Sequence, residues 1–125
     1  MNKKLRKYII QMTVNKSIIL QIFLFYLERI KRENVIQLNI NLSPQDLSDD
    51  YIDKMMGIII EYKYLQQLVL NFRDCSINEN ACLKIINQAN LIIHLKQLTI
   101  DIKEIKGIQT IQIPETKLRV VVYKQ

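Results

Sequence analysis

Two cysteines and one histidine are the side chains here best suited to nucleophilic or metal chemistry. Cys75 and Cys82 stand seven positions apart, and His94 follows twelve further on. That spacing matches no zinc or dithiol pattern. The sequence places no histidine beside Cys75 to take its proton, as thiol catalysis would require. Both cysteines read as free, buried thiols of a reducing compartment. His94 precedes a strand-like segment beside Leu95 and is expected to pack or to be solvated rather than to act as a base. Asp46, Asp49 and Asp50 sit around a helix start, where carboxylates complement unpaired N–H groups. Gly57 and Gly107 stand alone, so no glycine-rich loop cradles a phosphate. The expectation is a chain with no catalytic residue, no metal site and no cofactor, and one that is not an enzyme.

The elements that would have to position any site repeat along the chain. Leu65 to Phe72 reads LQQLVLNF, with Leu65, Leu68, Leu70 and Phe72 apolar. Thirty residues earlier stands VIQLNINL from Val35, and thirty later LKQLTIDI from Leu95. One more step back reaches Leu5, Tyr8, Ile10 and Met12 in the same slots. A period of this kind marks a repeat architecture. After each strand-like stretch comes a helical one: Ile52, Met55, Met56 and Ile59 correspond to Cys82, Ile85, Ile86 and Ala89, and to Ile22, Phe25, Tyr26 and Arg29. Spacing of i, i+3, i+4, i+7 marks one helix face, broken here only by Arg29. Ser48, Asp49 and Asp50, then Asn78, Glu79 and Asn80, supply start signals for the second and third helices.

Each unit is therefore strand, loop, helix, loop. Strands joined over such a distance are parallel, because an antiparallel pair needs only a short turn. Pro44 bars the second strand from running on. The last unit is shortened: Gly107 and Pro114 interrupt it, and Leu118, Val120 and Val122 alternate like a strand about twenty residues after Leu98, Ile100 and Ile102. The chain reads as one repeat domain over 1–125, with units near 5–34, 35–64, 65–94 and 95–125. Whether it is a piece of a longer array stays open.

Apolar content of 49% and charged content of 24% exclude an intrinsically disordered chain. The net charge of +6 lies wholly in the first quarter, where residues 1–33 hold eight basic and two acidic groups. Such an end can hold nucleic acid, an anionic membrane or an acidic protein, or can simply be a solvated edge. The apolar run from Ile18 to Leu27 is too short to span a membrane, and no small-residue cleavage site follows it. The absence of acid before Glu28 also suits an organellar transit segment, against which stands the fit of Leu5 to Met12 to the repeat. The expected location is intracellular, in the cytoplasm.

The pattern L-x-x-L-x-L, seen as Leu65-x-x-Leu68-x-Leu70 and Leu95-x-x-Leu98-x-Ile100, resembles the leucine-rich repeat. With a following helix and units near thirty, the chain is similar to the ribonuclease-inhibitor-like class. The family's buried Asn/Cys slot falls at Cys75 and Asn15, whereas Gln45 and Ile105 depart from it. The resemblance implies an α/β solenoid, curved, with a parallel sheet on the concave side and helices on the convex side. It also implies a non-catalytic module for protein–protein interaction or scaffolding.

Strand residues that alternate with the apolar ones line the helix-free side. They stack in columns: Gln37, Gln67 and Gln97; Asn39, Val69 and Thr99; Asn41, Asn71 and Asp101; then Arg73 and Lys103. The alignment extends these with Lys7, Ile9, Gln11 and Thr13 at one end and Arg119, Val121 and Tyr123 at the other. This amide-rich face is either a protein-binding surface or a ladder of amides bonded along its columns. Tyr8, Phe25, Tyr26 and Phe72 fall in inward slots, which leaves no base-stacking platform for nucleic acid. A second surface is expected on the first helix. There Leu20, Phe23, Leu24 and Leu27 replace the largely polar outward sets Asp50, Asp53, Lys54, Gly57 and Asn80, Leu83, Lys84, Asn87. Bordered by Lys16, Arg29, Lys31 and Arg32, that patch reads as a contact for a partner or a second copy of the chain.

Overall fold

The computed structural model describes residues 8–13, 17–30, 32–43, 46–103, 105 and 112–124. Strands and helices alternate as β1 (Tyr8–Thr13), α1 (Ser17–Arg29), a 3-10 turn at Arg32–Asn34, β2 (Val35–Asn41), α2 (Asp49–Ile59), β3 (Gln67–Asn71), α3 (Glu79–Ala89), β4 (Gln97–Asp101) and β5 (Arg119–Tyr123). The five strands form one sheet in chain order, every neighbouring pair parallel. This is the alternating β/α fold with a parallel sheet that the periodicity predicts.

The interior units keep the thirty-residue step. Leu68 pairs with Leu38 on one side and Leu98 on the other, and Leu70 with Ile40 and Ile100. These residues lie on the core side of the sheet and are buried together with Ile52, Met55, Met56 and Ile59 of α2 and Cys82, Ile85, Ile86 and Ala89 of α3. Both helices begin at a capped turn. Ser48 Oγ accepts the Tyr51 N–H at 3.1 Å, and Asn78 Oδ1 accepts the Ala81 N–H at 2.8 Å. Each cap satisfies one of the donors that a helix start leaves unpaired. On the outer side, Lys84 Nζ of α3 meets Asp53 Oδ2 of α2 at 3.1 Å.

The first unit departs from the expected register. β1 pairs with β2 so that Ile10 faces Leu38 and Met12 faces Ile40, a step of twenty-eight rather than thirty. The alignment of Tyr8 with Leu38 is thus corrected by two residues, and Leu5 lies outside the described residues. A slip of two leaves strand alternation intact, since side chains repeat every second residue. The helix shifts the other way: Leu20, Phe23, Leu24 and Leu27 take the slots of Ile52, Met55, Met56 and Ile59 at a step of thirty-two. Two residues of shift turn a helix face by about 200°, because each residue advances about 100°.

The consequence is a reversal of α1. Leu20, Phe23, Leu24 and Leu27 are buried at 7%, 2%, 8% and 0% exposure, so the expected docking patch is core. Ile22, Phe25, Tyr26 and Arg29, expected inward, face outward. α1 is apolar on both sides, so periodicity alone could not choose between them; the link from β1 to α1, four residues shorter than its counterpart in the second unit, does. Two tyrosines of the second unit hold the helix there. Tyr51 Oη donates to the Leu20 carbonyl at 2.9 Å, and Tyr62 Oη donates to the Leu27 carbonyl at 2.6 Å. Leu27 O belongs to the last turn, where carbonyls lack a helical partner.

At the other end Val120 pairs with Leu98 and Val122 with Ile100, a step of twenty-two rather than about twenty. Residues 112–118 carry no helix, and Thr116 Oγ1 donates to Asn90 Oδ1 at 2.8 Å just past the end of α3. Leu118 is buried, whereas Val120 and Val122 stay half-exposed. Among the described residues, no helix is long and apolar enough to cross a membrane.

Candidate recognition face

The side of the sheet opposite the helices carries the polar columns. Gln37, Gln67 and Gln97 sit side by side on adjacent strands, followed by Asn39, Val69 and Thr99, then Asn41, Asn71 and Asp101. The end strands join one column away from their expected places. Arg119 extends the first column beside Gln97, Val121 the second beside Thr99, and Tyr123 the third beside Asp101. In β1, Ile9, Gln11 and Thr13 pair with Gln37, Asn39 and Asn41. Lys7 lies outside the described residues.

The amides bond along their own strands rather than down the columns. Gln37 Nε2 donates to Asn39 Oδ1 at 3.2 Å, and Gln97 Nε2 donates to Thr99 Oγ1 at 3.2 Å. The third column has a different task. Asn41, Asn71 and Asp101 each use Oδ1 to accept the backbone N–H two residues on, from Ser43, Arg73 and Lys103, at 3.0, 2.9 and 3.0 Å. Such Asx turns hold the chain as it leaves the sheet. The signal was present in the sequence: a short acceptor side chain closes each of these three strands. In the central strand Val69 offers only a methyl surface, and Gln67 beside it is exposed. Arg73 is exposed, while Lys103 is half-exposed and places Nζ 5.4 Å from the centroid of the Tyr123 ring. The face is thus neutral and amide-rich at its centre, basic at one border, and partly apolar along the Val69–Val121 column.

The residues with chemical potential lie apart from this face. Cys75 is buried, and its Sγ donates to the Leu42 carbonyl at 3.3 Å, which ties one loop to the strand end below it. Ile105 is buried in the matching turn; Gln45 and Asn15 are outside the described residues. His94 is exposed and stacks on Tyr64, thirty residues earlier, with centroids 5.7 Å apart and planes 9° from parallel. Asp46 forms an isolated bridge with Ser76. Among the described residues, no group of three or more His, Cys, Asp or Glu side chains could hold a metal ion.

Cys82 is buried in α3, and its thiol is raised from an ordinary value of 9.0 to about 11, first by burial and then by the Glu79 carboxylate. The unfolded thiol ionises at lower pH than the folded one. The folded state therefore keeps its full stability below pH 9 and loses this contribution as pH rises through about 11. Burial raises the Tyr51 phenol as well, which adds to the loss from about pH 10 upward. Urea midpoints measured across this window should fall, and Cys82→Ala should reduce the fall; equal falls in both proteins would contradict the assignment.

Sequence reasoning missed one surface. Ile22, Phe25 and Tyr26 of α1 are 61%, 56% and 52% exposed, and the Arg29 guanidinium carbon lies 3.3 Å from the centroid of the Phe25 ring. Their helical spacing reads as a core face; the missing signal is the shorter distance from β1 to α1. Phe25 and Tyr26 are thus corrected from inward to outward, while Phe72 is buried as expected.

No family model, curated protein or solved structure matches the chain.

Proposed function

We propose that this chain is a leucine-rich-repeat-like solenoid, curved with its sheet on the concave side, that works as a non-catalytic protein–protein interaction or scaffold module. The observation that carries the reading is the sheet face opposite the helices. There Gln37, Gln97, Val69 and Thr99, half-exposed, and Gln67, exposed, form a continuous surface across the three interior strands. Side chains spaced by the sheet at roughly 4.8 Å form a rigid array suited to a complementary protein surface. Amide and methyl contacts of this kind depend weakly on salt, unlike contacts to phosphate. The test is capture of partners from cell extract by the immobilised protein and by Gln67→Arg combined with Val69→Glu. The wild type should retain a defined partner at high salt and the variant should lose it, with identical circular dichroism. Retention by both proteins would overturn the reading.

A second reading is binding of nucleic acid or an anionic membrane by the N-terminal end. It is supported by the outward Ile22, Phe25 and Tyr26 in the quarter of the chain that carries the net positive charge. Binding to liposomes or polynucleotide that falls steeply with salt would favour it over the first reading.

A further inference from the structure

We infer that two copies of this chain associate through the outer edge of β5, their strands pairing antiparallel about a two-fold axis at Val121. β5 is the last strand of the sheet, and among the described residues no strand pairs with its outer side. The hydrogen bonds to β4 use odd-numbered residues. The Arg119 N–H donates to the Lys96 carbonyl at 2.9 Å, and the Tyr123 carbonyl accepts from the Ile102 N–H at 2.8 Å. In a parallel ladder the alternate residues point their backbone groups the other way. Val120 and Val122 thus present N–H and C=O along an edge that can template another strand. The same two side chains are half-exposed although they extend the core-side rows that begin Leu38, Leu68, Leu98 and Ile40, Leu70, Ile100.

The occupant follows from the sequence of the edge, Arg119-Val120-Val121-Val122-Tyr123. Turned end over end about Val121, it matches itself. Val120 of one copy faces Val122 of the other, so both residues with outward backbone groups form hydrogen-bonded pairs. Arg119 faces Tyr123 of the second copy, where a guanidinium can lie on a phenol ring. Continued outward, Leu118 meets Lys124, so no like charges stand opposite one another, which cross-strand pairing disfavours. The pairing is isologous and stops at two chains, whereas stacking β5 on β1 of the next copy would run on without end.

Sedimentation of the full chain over a range of concentrations tests this, and a dimer is expected. Tyr123→Arg sets Arg against Arg119 at two symmetric positions and should weaken dimerisation by about tenfold or more. Adding Arg119→Glu to that variant should restore the dimer. Val120→Pro removes a donor that points away from β4, so it should yield a monomer with unchanged circular dichroism. Val121→Cys should cross-link to its own copy on oxidation, because facing residues at a non-hydrogen-bonded antiparallel site lie about 4.5 Å apart. A wild type that stays monomeric, one that grows into higher assemblies, or a dimer indifferent to Tyr123→Arg would each overturn the proposal.

Discussion

Leu20→Asp combined with Leu24→Lys is expected to unfold the first unit and to lower the thermal midpoint of the whole domain sharply. Both side chains lie on the buried side of α1, 7% and 8% exposed, beside Phe23 and Leu27. A charge left without a buried partner costs on the order of 3–5 kcal/mol. The two new groups stand four apart and can pair with each other, yet both must still leave water. Against a total stability of about 5–15 kcal/mol, a loss of this size decides the state of the unit. Ile22→Asp combined with Tyr26→Lys repeats the same chemistry and spacing on the opposite side of the helix. That control should stay within about 0.5 kcal/mol of the wild type, as exposed substitutions do. Chemical unfolding with near-ultraviolet detection would rank the pair. If the two double variants came out equal, or in the opposite order, the rotation of α1 described above would be wrong.

Leu68→Ala should cost roughly 2–5 kcal/mol, the range for a large aliphatic side chain removed from a closed core. Leu68 has no exposed surface, and it is the middle member of the row Leu38, Leu68, Leu98, with strands on both sides. No free edge lies nearby into which the structure could relax. Gln67→Ala, one residue earlier on the other side of the sheet, should cost well under 1 kcal/mol, because the Gln67 side chain is exposed. Urea titrations of the two variants measure the difference directly, and a larger loss for Gln67→Ala would invert the proposed strand register.

The interior of this fold was legible because two independent periods agreed there. Leu38, Leu68 and Leu98 fixed the strands, Met55 and Ile85 fixed the helices, and both advanced by thirty. At the start of the chain the strand pattern was compatible with steps of twenty-eight and thirty alike, since both keep the same residues inward. The helix follows neither, since Leu20, Phe23, Leu24 and Leu27 match the second helix at a step of thirty-two, and because α1 is apolar on either side its pattern gave no answer. At the far end no helical pattern constrained the join, and Arg119, Val121 and Tyr123 were placed one column away. The polar face was legible in its members and less so in its bonding. That Asn41, Asn71 and Asp101 serve the loops beyond them depends on backbone geometry after the strand, which side-chain alternation does not encode.

The equal steps in the middle of the chain make residues 65–94 a cassette. Whatever lies before Leu65 meets this segment through Leu38 and Ile52, and whatever lies after it meets Leu98; both joins are offset by the same thirty residues as the segment itself. A second copy of 65–94 inserted after His94 would therefore present to each outer neighbour the surface it already packs against, and the sheet would lengthen by one strand. Only the junction between the copies is new, with Leu83 in the slot where Asp53 meets Lys84. Residues 8–34 have no such interchangeability, since their strand is offset by twenty-eight residues and their helix by thirty-two. Growth or loss of units by unequal recombination is thus open to the centre of this chain and closed to its first unit.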